Sequence, residues 1–257
     1  MEEKSKMPVL FVGHGSPMNA IGENRSRPAW REMGLRLGKP EVIVAVSAHW
    51  MTHGLCVRRS ESNPQVNDMY GFPDELYAVK YAPQSSVEMA DKTLEALGGM
   101  ATVANDWGID HGVWTVLCNM YPEADVPVVM VSTDVDATAE AQFEAGKRLA
   151  RLRSEGAMIV ASGNVVHNLR MVNWRMRGGF DWADAFDETV KLHIQAGDYA
   201  RIIDYKSIAD HDLAIPTTEH FFPLLTALGA VVEGDRCEVW NEYRELGSMS
   251  MTSYLFC

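Results

Sequence analysis

The stretch Val42-Ile43-Val44-Ala45-Val46-Ser47-Ala48-His49 decides the fold. Its apolar run is rich in β-branched residues and shorter than a buried helix. That is what a parallel strand needs when helices cover both of its faces. Val9-Leu10-Phe11-Val12 has the same character. A histidine follows each run: His14 in Gly13-His14-Gly15-Ser16-Pro17, and His49 in Ser47-Ala48-His49-Trp50. Parallel strands deliver their carboxyl ends to one edge of the sheet, and open α/β proteins build their sites there. Two imidazoles are therefore expected at one edge.

Outward from these strands, apolar runs alternate with helical periodicity. An edge strand is expected over Leu55–Arg59, and a helix over Val87–Leu97 with Gly98-Gly99 as its stop signal. A short strand is expected near 100–104, a helix from about His111 to Tyr121, and a strand over Val126–Ser132. Ala137–Arg153 is patterned as an amphipathic helix, and Met158–Ser162 as the strand leading to His167. Helices follow near 182–196 and 217–228, the second entered at Pro216-Thr217. Cys237–Trp240 and Ser250–Phe256 close the chain as strands without crossover helices. No linker, repeat or low-complexity tract interrupts the series. The expectation is an α/β fold: a single three-layer α/β/α domain over 1–257 with a mixed, largely parallel sheet.

Charge narrows the partners. Lys+Arg 23 against Asp+Glu 35 gives a formal net charge of −12, with no basic run to reverse it. Phosphate backbones and anionic lipid are disfavoured, so no nucleic acid and no membrane partner is expected; homo-oligomerisation is left open. Cys56, Cys118, Cys237 and Cys257 are scattered without a Cys-x-x-Cys pair, which rules out a disulfide scaffold and thiolate-metal spacing. Met1–Lys6 runs directly into the first strand, and no stretch approaches a membrane span. A soluble cytoplasmic protein is the expectation, in which the Asn24-Arg25-Ser26 sequon is without meaning.

The candidate chemistry lies with histidine. Besides His14 and His49, His167 ends Ser162-Gly163-Asn164-Val165-Val166-His167, and His220 sits in Thr218-Glu219-His220-Phe221-Phe222-Pro223. Neutral imidazole is the commonest protein metal ligand. A dinucleotide fingerprint starting at Gly13 and Gly15 fails, because Met18 stands where the third glycine belongs. His49 and His53 have zincin spacing but no glutamate base between them, so His53 reads as a solvent-facing neighbour. His193 and His211 read as surface or capping residues. His111 has two readings: Asp110 simply caps a helix there, or the imidazole overhangs the site, with Trp107 and Trp114 as walls for an aromatic ligand. The second is favoured. No nucleophile elbow and no Walker loop is present.

Taken in order, Gly13–Pro17, Ser47–Trp50, Asp110-His111-Gly112-x-Trp114, Ser162–Asn168 and Glu219-His220-Phe221-x-Pro223-Leu224 resemble the motifs of the 4,5-DOPA extradiol dioxygenases. These are class III, protocatechuate 4,5-dioxygenase-like ring-cleaving enzymes. The resemblance spans about residues 8–256, including Gly247–Met251. It implies a non-haem Fe(II) centre that opens a catechol ring beside its hydroxyl pair with O₂, so the implied partners are a catechol substrate and O₂. By position, His14 and His49 match the two metal histidines, and His220 matches the third ligand, a carboxylate in protocatechuate-type relatives. His167 matches the catalytic acid/base of those relatives and a further zinc ligand in the DOPA-type branch. His111 matches a catalytic histidine beside the metal. An all-histidine set lowers the anionic charge at the metal and makes Zn(II) a comfortable occupant. Glu219 is expected to back His220 rather than replace it. Two other functions stay in view: a zinc hydrolase on the same histidines, and a binding protein like the Memo proteins, which share the fold.

Residues 61–83 form an excursion too long for a plain connection, with Tyr70, Phe72, Tyr77 and Tyr81 interleaved with prolines. Two readings stand: a lid placing Asp68, Tyr70 or Phe72 at the metal cavity, or a surface loop packing its own base.

Overall fold

The computed structural model describes residues 6–257. Residues 1–5, which carry most of the expectation about a leader, lie outside the described part. Among the described residues ten strands form: β1 (Val9–Gly13), β2 (Val42–Thr52), β3 (Leu55–Val57), β4 (Ala101–Val103), β5 (Val128–Asp134), β6 (Ala157–Gly163), β7 (Cys237–Trp240), β8 (Arg244–Glu245), β9 (Met249–Ser250) and β10 (Ser253–Phe256). Eight of them make one sheet in the order β4-β3-β5-β2-β6-β1-β10-β7, and β8 pairs with β9 separately. The four central strands are parallel, with Val44 opposite Ile159 and Val129, and Phe11 opposite Ala161. At the flanks β3 runs antiparallel to β5, and β10 antiparallel to β1. The sheet is therefore mixed and largely parallel, as the apolar runs require.

Alternation along these strands builds two cores. Phe11, Val44, Val46 and Ile159 face one side, while Leu10, Val12, Ile43 and Val160 face the other. The helices, in chain order, are α1 (Ser26–Leu37), α2 (Asp74–Tyr77), α3 (Val87–Leu97), α4 (His111–Met120), α5 (Ala139–Leu149), α6 (Asp181–Gln195), α7 (Tyr199–Ile203), α8 (His211–Ala214) and α9 (Phe222–Gly229). The first face is covered by α3, α5, α6 and α9 through Met89, Leu149, Phe186 and Leu224. The second is covered by α1 and α4 through Trp30, Met33, Trp114 and Leu117. Among the described residues, no helix is long and apolar enough to cross a membrane.

Three boundaries differ from the sequence reading, each for a physical reason. Leu55–Val57 is not the sheet edge, because β4 pairs outside it. The last helix starts at Phe222 rather than Thr217, with Pro223 in its first turn. Proline lacks an amide proton and is tolerated there but not farther along a helix, so residues 217–221 become a turn that carries His220. The closing strand is interrupted at Met251-Thr252. The hydroxyls of Ser250 and Thr252 donate to the buried Asp187 carboxylate at 2.8 and 2.7 Å, and that anchor bends the chain.

One buried ion pair fastens the chain's ends. Arg153, with no exposed surface, donates to both oxygens of Asp235 at 2.6 and 3.0 Å, and to the carbonyls of Met7 and Ala230. It thus ties the start of β1 to the end of α9. Burial alone raises the Asp235 carboxyl, but the bonds from Arg153 outweigh it and hold the carboxyl below its ordinary value. Its contribution is complete above the unfolded-state pKa and is lost as pH falls through the lower folded value. Asp235→Ala strands a buried guanidinium, and is expected to cost about 3–5 kcal/mol in urea unfolding at pH 7. The gap to wild type narrows on acidification; a gap that widened in acid would contradict this assignment.

Candidate metal centre

At the carboxyl edge of the central strands, the chain turns immediately after β1, so His14 stands over the end of β6. Its Nδ1 lies 2.9 Å from Ser162 Oγ, and that hydroxyl donates in turn to the Gly112 carbonyl. The serine proton is thereby committed, so Nδ1 carries a hydrogen and Nε2 keeps its lone pair. His49, on the last third of β2, has Nδ1 3.2 Å from Asp68 Oδ2 and Nε2 3.1 Å from His14 Nε2. His220, on the turn before α9, has Nδ1 3.1 Å from Glu219 Oε1. The backing role expected of Glu219 is the contact the structure contains. The remaining nitrogen, Nε2, is buried with no hydrogen-bond partner.

These three imidazoles form a near-equilateral group, with ring centroids 5.0, 5.4 and 5.0 Å apart and ligating atoms within 4.8 Å of one another. Burial, then the like charge of neighbouring imidazoles, holds His14 and His49 well below the usual histidine pKa. Burial also lowers His220, against the pull of Glu219. At neutral pH the site therefore offers unprotonated nitrogens facing one another. Lone pairs so placed repel unless a proton or a cation sits among them, and an orphaned buried nitrogen costs about 1–3 kcal/mol. The donor set fits a divalent metal ion.

His167, beyond β6, lies at the same cavity but outside the trio. Its ring is stacked flat on His220, with centroids 3.5 Å apart and planes 8° apart. Burial and the adjacent His220 hold it neutral as well. A bridge between His167 and Met249 fixes its backbone. His111 opens α4 with its ring centroid 3.9 Å from that of His49. Its Nδ1 and its amide nitrogen both bond Asp68, at 2.9 and 3.0 Å. Gly112 allows this approach: a Cβ there would sit 2.8 Å from His49 Cδ2.

Two expectations around His111 are corrected. Asp110 does not cap α4 with its side chain. Its buried carboxyl instead accepts from Ser47 Oγ and Trp107 Nε1 at 2.7 and 2.9 Å, and burial, then the charge of Asp68, pushes it up to about 6. Trp114 is not a cavity wall but a core residue, its indole donating to the Val66 carbonyl. Both readings of the 61–83 excursion hold in part. Tyr81 and Leu76 pack its base and Tyr70 is 92% exposed, yet Asp68 reaches the centre. The aromatics anchor the loop and its carboxylate enters the site. Of the three residues expected there under the lid reading, Asp68 is the one whose contact with the centre the structure shows, and its partners His49 and His111 were not legible in the sequence. Of the other histidines, His53 is exposed beside Asp136, His193 pairs with Asp198, and His211 packs on Tyr205.

Comparison with known proteins agrees with this geometry. The family described as the catalytic LigB subunit of aromatic ring-opening dioxygenase matches residues 13–257. A 4,5-DOPA dioxygenase extradiol of Escherichia coli (strain K12) is 42% identical, over 97% of this chain and 94% of its own. One from Beta vulgaris is 35% identical, over 96% of each chain. The crystal structure of an uncharacterized Escherichia coli K12 protein superposes with a TM-score of 0.86 at 38% identity, covering 98% of this chain and all of that one. With matches running nearly end to end, the chain belongs to the LigB-type, class III extradiol dioxygenase family, as a ring-opening dioxygenase of the DOPA dioxygenase type.

Proposed function

We propose that this dioxygenase opens a catechol with a DOPA-like side chain, using a metal held by His14, His49 and His220. The whole chain acts as one catalytic domain in a reducing, cytoplasmic compartment, in keeping with its four free cysteines. The observation that carries the metal assignment is the set of three Nδ1 positions occupied by Ser162, Asp68 and Glu219, which leaves three nitrogens converging. Hydrogen bonding of the distal nitrogen is how proteins orient metal-bound histidines. Fe(II) is the metal for activity, and Zn(II) is an alternative occupant of so nitrogen-rich a set. When bound, the metal supplies adjacent positions for the catechol oxygens and O₂, and the electronic path between them.

The side chains do the rest. His167 is neutral and sits beside the centre rather than in its triangle, so it takes a hydroxyl proton from the incoming catechol on its free ring nitrogen and later returns it to the opened product. His111 is clamped through Nδ1 by Asp68, which leaves Nε2 for the substrate oxygens. Asp68 holds two imidazoles at once, so the loop that carries it keeps His49 and His111 in register while water is excluded.

Chelation followed by anaerobic Fe(II) reconstitution is expected to abolish and then restore O₂ consumption and the yellow ring-opened semialdehyde. Zinc loading is expected to bind without supporting O₂ uptake. Hydrolysis without O₂ uptake would sink the oxygenase reading. His220→Ala is expected to lose the metal, whereas His167→Ala keeps it and loses about 10²–10⁴-fold in turnover. Full activity in His167→Ala would remove it from the mechanism. Asp68→Asn is expected to lower metal affinity or turnover about 10–100-fold, read by metal content and steady-state rate. An unchanged variant would reduce Asp68 to a loop anchor.

A further inference from the structure

Beyond His167 the chain runs alongside the β8–β9 hairpin, in which Arg244 pairs with Ser250 and Glu245 with Met249. Ser250 donates to the Val166 carbonyl, Asn168 to Ser248, Asn173 to Leu246, and Leu246 to Met176. Met249 lies opposite His167 and Glu245 opposite Met249, so Glu245 stands two strand spacings, about 10 Å, from His167 across this ribbon. A hollow of about 510 Å³ opens there, between the ribbon and the start of α1. Its walls carry Arg25, Arg175 and Arg177 together with Trp174 and Tyr243.

The concentration of guanidinium groups is out of keeping with a chain of net charge −12. Arg25 lies over the Tyr243 ring, 4.2 Å from its centroid, and Tyr243 is fixed by a 2.6 Å bond to Ser26. The Arg175 and Arg177 side chains have no hydrogen bond or ion pair among the described residues. One carboxylate, Glu245, shares the wall, which leaves the cations in excess. Trp174 is 81% exposed, an uncovered indole beside unpaired cations. Planar guanidinium forks recognise carboxylates in bidentate fashion, and an aromatic wall shields such a pair from water.

We propose that this hollow is the specificity subsite of the ring-opening reaction, where Arg175 and Arg177, assisted by Arg25, bind a carboxylate on the substrate's side chain. It rests on the catechol-cleaving reading above. A ring held beside His167 with a two- or three-carbon acidic tail spans about the ribbon distance between centre and hollow. The arginines touch no reacting atom; they select the substrate and set its angle over the centre.

The test compares dihydrocaffeate, which carries the acid, with methylcatechol, which does not, on the Fe(II)-loaded enzyme. In the R175Q/R177Q variant, the ratio of kcat/KM for dihydrocaffeate over methylcatechol is expected to fall about 10–100-fold, mainly through KM for the acid. Arg201→Gln, which removes one positive charge from the distant α7, is expected to leave the ratio unchanged. An unchanged ratio in the double variant, or an equal loss on both substrates, overturns the proposal. Anaerobic calorimetry of dihydrocaffeate binding supplies a second readout. If wild type opens neither ring, the catechol-cleaving reading fails, and calorimetry alone then decides the subsite. A matching loss of affinity in the double variant supports it, and equal affinity rejects it.

Discussion

Everything at the carboxyl edge of this sheet depends on keeping buried imidazoles neutral and turned the right way. A buried histidine can point either nitrogen into the cavity, and the wrong tautomer offers a proton where a lone pair is needed. The chain limits that freedom by placing an oxygen beside Nδ1 of each imidazole of the trio. For His14 it is Ser162, from the neighbouring strand; for His49 it is Asp68, from the long loop; for His220 it is Glu219, from the same turn. These oxygens come from three separate parts of the fold, so the tautomers are correct only once the sheet, the loop and the last turn have assembled. Desolvation completes the arrangement by suppressing protonation of His14 and His49.

The sheet was legible because its signal is local. The runs through Val9–Val12 and Val42–Val46 had to be buried on both faces, and strands of that kind have few arrangements open to them. The positions of His14, His49 and His167 followed from that alone, because each lies within a few residues of a strand end. What escaped was set by long-range contacts. Asp68 was one of three loop residues expected at the cavity under the lid reading, but nothing near it says that it will reach His111 across 43 residues of sequence. Asp110 carried a local reading, helix capping, that the structure replaced with bonds to Ser47 and Trp107. The start of α9 was a different kind of error, since Pro223 stated the boundary and the periodicity of the following residues obscured it. The pairing of Arg153 with Asp235 had no counterpart in the sequence reading, because an arginine on an amphipathic helix is ordinarily a solvated one.

Charge balance explains why two carboxylates stand just behind the histidines. In a site with two histidines and a carboxylate, the metal meets one negative charge directly. In the proposed centre His220 takes the third position, and no anion stands in the trio itself. Glu219 accepts a hydrogen bond from His220, and Asp68 lies 3.2 Å from His49 Nδ1 while accepting one from His111. Burial raises both carboxyls, but their histidine partners outweigh it and keep them below the ordinary range. Negative charge is thus held one bond farther out and reaches the centre through polarised rings. A centre built this way has more net positive charge to offer an incoming anion. In the reaction proposed above, a catechol entering through its hydroxyl oxygens would be such an anion once His167 has taken its proton, and the substrate would then supply the negative charge that the trio lacks.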